Sequence, residues 1–375
     1  MRTYTLVMLI AAAVTFITTP MARHTARYIH AITPVRARDV HTTPIPRLGG
    51  LAMLAGFVVA ILLAWQIPFL SEVFSENRQI IGVLAAAAWV VVLGMADDLW
   101  DIDWWAKLGG QIIAGLILAS FGVVLVTFPV MGLTVGSTRL SAIMTIFVVV
   151  AMINAVNFVD GLDGLAAGMI AIGGSAFFLY AYLLTRASSP ENFSSLATAI
   201  LAALVGACVG FLPHNFHPAR IFMGDTGAML LGLLIAAPTI ILTGNIDPAR
   251  VTVTQSLPVF LPLVLPLAVL ALPIIDMTFA VIRRTLAGHS PFHPDRGHIH
   301  HRLIDLGHSH RGAVLIMYAW TVVVSSTFVL MAVIPVQWAL AVGAVLSVIA
   351  YLVTRRTPLL RMVARGSTQS PATKP

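Results

Sequence analysis

The chain has 375 residues, of which 58% are hydrophobic and only 10% charged, against about 25% charged in an ordinary soluble domain. A mean hydropathy of +0.93 excludes a water-soluble globule, because so few charges cannot cover a folded surface, and it makes lipid the natural solvent. The single cysteine, Cys208, excludes a disulfide framework and a cysteine-ligated metal, and the net charge of +7 reads as the basic cytoplasmic face of a membrane protein, so no nucleic-acid partner is expected.

Apolar runs of about 17–25 residues can cross the hydrocarbon core. Eleven are predicted, at 3–20, 49–70, 79–96, 107–126, 140–158, 164–184, 195–212, 227–243, 256–282, 313–333 and 336–354. The first lacks a convincing small-residue cleavage site and precedes a basic loop, so it reads as a retained span rather than a signal peptide. The expected fold class is an all-α polytopic integral membrane protein, with one transmembrane domain over 1–354. A small outer β-hairpin is expected near 127–139, where the sequence alternates and carries glycines. The tail, 355–375, reads as a basic disordered end that touches anionic lipid.

Lys and Arg set the orientation. With the N-terminus outside, the inner segments are 21–48, 97–106, 154–163, 213–226, 283–312 and the tail. They hold or border 17 of the 22 Lys and Arg, leaving Arg2, Arg78, Arg139, Arg186 and Arg250 outside. The bias places that side in the cytoplasm of a cell (inner) membrane. All 12 histidines lie in the same segments, and of the 15 acids only Glu72, Glu76, Glu191 and Asp247 are outside. Any chemistry is therefore concentrated on the cytoplasmic face.

Four stretches carry it. In GMADDLWDID, Asp97 and Asp98 end the third span, with Asp101 and Asp103 behind. Carboxylates this close to hydrocarbon are costly unless paired, metal-bound or hydrated, and they meet the negative end of their own helix. A cation is expected beside them, and Lys107 can reach back to Asp97 or Asp98. In NAVNFVDGLDGLAAG, the residues Asn154, Asn157, Asp160 and Asp163 recur every three positions, which puts neighbours on one side of a helix. The oxygens of Asn157, Asp160 and Asp163 suit a hard cation, Mg²⁺ with Mn²⁺ as the second choice. In FMGDTGAM, the eighth span opens with its positive end toward the cytoplasm, where it can receive phosphate. Asp225 can cap that helix or ligate a metal, and Phe222 can stack on a base. In RRTLAGHSPFHPDRGHIHHRL, His298, His300 and His301 are crowded among Arg283, Arg284, Arg296 and Arg302. Arg matches phosphate with a fork of donors, and His donates to phosphate or shuttles protons. A histidine zinc site is the rival reading of this loop, disfavoured because the other inner-face ligands are oxygens.

Each stretch alone also reads as ordinary structure: a solvated helix end, an interfacial turn, a capped helix start and a basic headgroup loop. Together they converge on one membrane–cytosol interface. That combination suits phosphoryl transfer, which requires positioning, a metal and cationic clamps.

With these motifs in order, the sequence resembles the polyprenyl-phosphate N-acetylhexosamine-1-phosphate transferases. GMADDLWDIDWWAKLGGQ is similar to their DD segment with its following lysine, NAVNFVDGLDGLAAG to their Asn/Asp motif, FMGDTGAMLLG to their Gly-Asp motif, PFHPDRGHIHHRL to their His-x-His-His loop and PIPRLGG to their first inner loop. Ala228 departs from the pattern, where Ser is common. The likeness spans roughly residues 40–310. It implies a Mg²⁺-dependent enzyme that moves a sugar-1-phosphate from a UDP-N-acetylhexosamine to a polyprenyl phosphate, releases UMP and starts a lipid-linked cell-envelope glycan. Carried over by residue, it implies that Asp97 and Asp98 lie by the lipid phosphate, one of them as base. Asn157 and Asp225 are then Mg²⁺ ligands, Asp160 and Asp163 lie near the nucleotide, and Phe222 stacks on uracil. His298, His300, His301 and the neighbouring Arg residues contact diphosphate or sugar, while Lys107, Asn154 and Arg47 join the substrate-binding set. The His-x-His-His form and eleven spans resemble the GlcNAc branch more than the phospho-MurNAc-pentapeptide translocase branch.

A transporter or flippase of an anionic substrate is the rival from another class. It requires ionisable residues or broken helices at the midplane, whereas here the charges lie at one face. Membrane lipid is the remaining expected partner, and a homodimer is compatible with the sequence without being demanded by it.

Overall fold

The computed structural model describes residues 1–33, 44–75, 77–129, 133–135, 137–188, 195–244 and 307–366, with isolated positions between 264 and 303. In chain order the described elements are α1 (Arg2–Tyr28), β1 (Ile32–Thr33), β2 (Ile45–Pro46), α2 (Gly49–Trp65), α3 (Ser71–Ser75), α4 (Arg78–Trp100), α5 (Trp104–Ser120), β3 (Thr127–Pro129), β4 (Leu133–Val135), α6 (Thr138–Val159), α7 (Leu165–Ser188), α8 (Leu196–Asn215), α9 (Gly224–Gly244), α10 (His310–Met331) and α11 (Val336–Gly366). Ten of the eleven expected spans coincide with these helices; the run at 256–282 lies outside the described residues. Eight of the helices are long and apolar enough to cross a membrane, while Gly49–Trp65 is a shorter apolar helix.

Local chemistry sets the ends. The second span was expected to reach residue 70, but α2 stops at Trp65. Ile67 is extended, at φ −85° and ψ 121°, ahead of Pro68, because a following proline disfavours helical backbone. Helices α6, α8 and α10 are each opened by a serine, Ser137, Ser195 and Ser309, whose hydroxyl accepts a backbone N–H of the first turn. Between α5 and α6 an antiparallel hairpin pairs Thr127 with Val135 and Pro129 with Leu133.

Packing sorts the helices by depth. Helices α8 and α9 are apolar all round and central, with 83% and 94% of their membrane-spanning windows buried, against 17% for α11. A helix with no polar face is a core helix or faces lipid. Around this centre, α1 packs on α8 and α2, α4 and α6 pack on α9, and α7 packs on α8 and α10. The C-terminal ends of α4, α6 and α8 and the N-terminal ends of α2, α5, α7, α9 and α10 meet at one end of the bundle, as the contacts below show. At that end Trp100, Trp104 and Trp105 are exposed, and the last two stack with ring centroids 3.5 Å apart. Tryptophan is characteristic of membrane interfaces.

Candidate active site

Four helices, α4, α5, α6 and α9, bring the site together. Asp97 and Asp98, on the last turn of α4, are 3% and 9% exposed, although their own helix presents its negative end to them. The structure supplies what offsets this. Asp98 Oδ1 accepts the backbone N–H of Asp225 at 3.1 Å, and its Oδ2 accepts the backbone N–H of Thr226 at 3.1 Å and the Thr226 hydroxyl at 2.6 Å. Asp98 is thus the N-terminal cap of α9, contributed from another helix. Arg47, from the loop before α2, adds a cation with Nη1 3.7 Å from Asp98 Oδ1.

Two glycines permit this approach. A Cβ at Gly94 would meet the backbone of Thr226 at 2.5 Å, and one at Gly224 would run into the Asp98 carboxylate. Gly224 also sits at φ +68°, where a side chain is strained. From below, Phe222 donates its N–H to Pro46 O, while Gly49 and Gly50 donate theirs to Phe222 O and Met223 O. The PIPRLGG and FMGDTG stretches are therefore hydrogen-bonded backbone to backbone.

Asp97 is held differently. Its Oδ1 accepts the Ile102 N–H at 3.1 Å, and Lys107 Nζ, on the first turn of α5, lies 2.5 Å from its Oδ2. The same ammonium is 3.6 Å from Asp225 Oδ2, and Asn157 Nδ2 donates to Asp225 Oδ1. Asp225 thus faces Lys107 and Asn157 rather than capping its own helix. The expectation that the α9 N-terminus receives phosphate is corrected at the N–H groups of Asp225 and Thr226: both are taken by Asp98.

Asp160 completes the pocket from the C-terminal cap of α6. Its backbone N–H donates to Val156 O and Asn157 O, while among the described residues its carboxylate has no hydrogen bond or ion pair. Burial and then the charges of Asp225 and Asp98 push its carboxyl up to about 8 from an ordinary 3.8, with Arg47 opposing and Asp163 adding. Among the described residues, Asp97, Asp98, Asp160 and Asp225 together face two cations, Lys107 and Arg47. Ionised, they carry an excess of two negative charges in a recess of oxygen donors. That donor set fits a hard divalent cation and not a soft one. Asp225, Asp160 and the Asn157 amide are the groups placed to hold it.

Other expected residues lie elsewhere. Asn154 does not face the pocket chemistry: its Nδ2 donates to Gln111 Oε1 at 2.7 Å and to Val150 O at 2.8 Å, which ties α6 to α5. Asp163 was grouped with Asn157 and Asp160 around one cation. Its Oδ2 instead meets His217 Nδ1 at 2.8 Å and the Ala219 N–H at 3.1 Å, because the turn at Gly161 and Gly164 redirects the chain after Asp160. Phe222 is partly buried beside the pocket. His298, His300, His301, Arg283, Arg284, Arg296 and Arg302 lie outside the described residues.

The family model described as glycosyl transferase family 4 matches residues 80–243. A decaprenyl-phosphate N-acetylglucosaminephosphotransferase of Mycobacterium tuberculosis is 41% identical over 87% of this chain and 81% of its own length. The protein of the same name from Mycolicibacterium smegmatis is 39% identical over 98% of this chain and 91% of its own. The chain belongs to glycosyl transferase family 4. A third relative, from Bacillus subtilis, named a probable undecaprenyl-phosphate N-acetylglucosaminyl 1-phosphate transferase, is 34% identical over 80% and 77% of the two chains.

As a member of glycosyl transferase family 4 with this set of apolar helices, the chain is a multi-pass membrane protein. Its site includes residues that the sequence did not single out. Thr226 supplies two of the three donors to Asp98. Asn215 accepts the Gly164 N–H at 3.0 Å and donates to Ile221 O at 3.0 Å, locking the Asp/Gly turn to the strand of backbone that leads into Asp225. Tyr318 of α10 donates its hydroxyl to Gly164 O. Each is a common residue without neighbours of its kind, so spacing carries no signal for it.

Proposed function

We propose that this family 4 glycosyl transferase moves N-acetylglucosamine-1-phosphate from UDP-GlcNAc to a polyprenyl phosphate, undecaprenyl or decaprenyl, at the cytoplasmic face of the cell membrane, with its N-terminus outside and its C-terminus inside. The observation that carries the reading is the convergence of Asp97, Asp98, Asp160 and Asp225, from three distant stretches, on a recess that also holds Lys107 and Arg47. The names of the relatives supply the substrate class.

The chemistry follows from what these groups do. A phosphate oxygen of the lipid attacks the β-phosphorus of the sugar nucleotide. The new P–O bond forms as the bond to the bridging oxygen breaks, and UMP departs with that electron pair. A lipid phosphate is already a nucleophile at neutral pH, so no covalent enzyme intermediate is required. Mg²⁺, held through Asp225 and Asp160 with Asn157, would supply neutralisation of the diphosphate and of the departing UMP. Lys107 holds Asp97 and Asp225 in register beside the acceptor. Asp98, spent on the α9 N-terminus, fixes the position of Asp225. Asp97 is the carboxylate left to orient or deprotonate the acceptor. The Arg and His loop at 283–302 would grip diphosphate and sugar.

The test is UMP release by the purified full chain with polyprenyl phosphate and UDP-GlcNAc, with UDP-GalNAc and UDP-MurNAc-pentapeptide in parallel, each with Mg²⁺ and with EDTA. Turnover with UDP-GlcNAc that EDTA abolishes is expected. Turnover with the pentapeptide substrate alone would move the chain to the translocase branch. Counterflow of a substrate without a lipid-diphosphate product would make it a transporter.

A further inference from the structure

On the far side of the 160–164 turn lies a second cluster, separate from the carboxylate recess. The ring of His310, the first residue of α10, stacks on that of His217, with centroids 4.3 Å apart and planes at 23°. His217 meets Asp163 as described, and one ligand atom from each of the three residues lies within 4.8 Å of the others. Both ring nitrogens of His310 are buried and, among the described residues, have no hydrogen-bond partner. A buried polar group left in that condition costs about 1–3 kcal/mol, so it calls for a ligand.

We propose that Asp163, His217 and His310 bind a divalent transition-metal ion, Zn²⁺ by ligand type, at a site separate from the oxygen-lined pocket. Two imidazoles and one carboxylate are a familiar Zn²⁺ set, with a fourth position open to water, whereas Mg²⁺ takes oxygens. The Asp163 side chain is 11% exposed and that of His217 34%, so the ion sits in a recess that water can reach. Ala219 N–H, on Asp163 Oδ2, is the kind of outer hydrogen bond that orients a ligating carboxylate. Without the ion, the hydrogen bond between His217 Nδ1 and Asp163 Oδ2 takes its place. Zinc–ligand bonds of about 2.0–2.1 Å require that pair to open slightly and His310 to swing in, both by side-chain rotation.

The ion would join three separate segments: the α6–α7 turn, the α8–α9 loop and the start of α10. Because α10 begins just after residues 283–302, the clasp anchors one end of that Arg and His stretch. Arg311 adds to the same junction, with Nε donating to His217 O at 2.9 Å.

The experiment strips the detergent-purified full chain with chelator and titrates it with Co²⁺. One equivalent of Co²⁺ giving the visible d–d absorption of a low-coordinate site, bleached by equimolar Zn²⁺, is expected. That absorption is lost in His217→Gln and in His310→Gln. It is retained in Asp225→Asn and in a variant with His298, His300 and His301 all changed to Gln. Absence of the band in the wild type, its survival in both single histidine variants, or its loss in the triple variant overturns the proposal. Loss in Asp225→Asn overturns it too, since the metal would then belong to the other pocket. X-ray absorption of the Zn²⁺-loaded triple variant does not depend on the single variants folding: scattering from two imidazoles is expected, and an all-oxygen shell overturns the site.

Discussion

Asp160 and Asp163, three residues apart on one turn, serve opposite environments. Asp160 looks into a recess that, among the described residues, holds four carboxylates and two cations; its own carboxylate has no hydrogen-bond partner there and is pushed up to about 8. Asp163 looks at two imidazoles and a backbone N–H, and its Oδ2 is hydrogen-bonded to both His217 and Ala219. The first environment is built from oxygen; in the second, two of the three ligating groups are nitrogen. A repeat of polar residues along a helix end therefore says little about shared purpose once a glycine turn intervenes. What decides is which other segments each carboxylate faces.

The largest effect that can break this comparison is at Asp225. Asp225→Asn removes one of the excess negative charges without disturbing the α9 cap. UMP release should fall by about a thousandfold, the scale for losing one preorganised electrostatic group, while the protein inserts normally and keeps or gains thermal stability. Asp98→Ala should lose as much activity but also lower Tm clearly, since it strands the two N–H groups of Asp225 and Thr226; a lost helix cap alone costs about 0.5–2 kcal/mol. Equal Tm values for the two variants would show that Asp98 is not the cap.

Lys107→Met comes next. It removes the cation shared by Asp97 and Asp225, and turnover should drop about a hundredfold, partly restored by raised Mg²⁺. Loss of activity with an unchanged Mg²⁺ requirement would separate Lys107 from the acidic recess.

The pH dependence of stability sharpens the contrast further. The Asp160 carboxyl is raised in the fold from 3.8 to about 8, so folding takes up a proton between those values. Its contribution to stability is therefore undiminished below about 4, declines as pH rises through the window, and is lowest above about 8. In the absence of divalent ions, Tm should fall from pH 5 to pH 8, and Asp160→Asn should flatten that fall. Mg²⁺ should do the same for the wild type, with proton release on binding. An Asp160→Asn variant whose Tm keeps the wild-type pH slope would place the excess charge elsewhere. Asp163→Asn should leave the slope in place.

Much of this was readable from sequence. The apolar runs gave the helices because lipid imposes one length and one composition. The pocket was readable because Asp97, Asp98, Asn157, Asp160 and Asp225 stand at span ends, where a carboxylate is costly and needs a reason. The depth order was not readable, since α8 and α11 are both apolar and differ only in whether protein or lipid surrounds them. The role of Asp98 was also hidden: its partner is the dipole end of a helix more than a hundred residues away. His217 and His310 were seen only as members of a histidine-rich face, because three single residues in three segments leave no spacing to find.

Asn154 marks where the periodic reading went too far, and it gives the smallest prediction. Its position three residues before Asn157 suggested the same side of the helix, and it was placed in the substrate-binding set. Yet α6 turns by about 100° per residue, and at Asn154 the neighbour is Gln111 of α5, itself 3% exposed. The two amides satisfy each other across a helix pair in an apolar setting, where a hydrogen bond contributes about 1 kcal/mol. Asn154→Leu should therefore lower Tm by a few degrees by leaving Gln111 unpaired, and Asn154→Leu with Gln111→Leu should recover most of it. KM for the UDP-sugar should stay within about twofold in both. A tenfold rise in KM in the double variant at wild-type Tm would mean that the Asn154 amide reaches substrate after all, and that the recess extends one turn further up α6 than its carboxylates indicate.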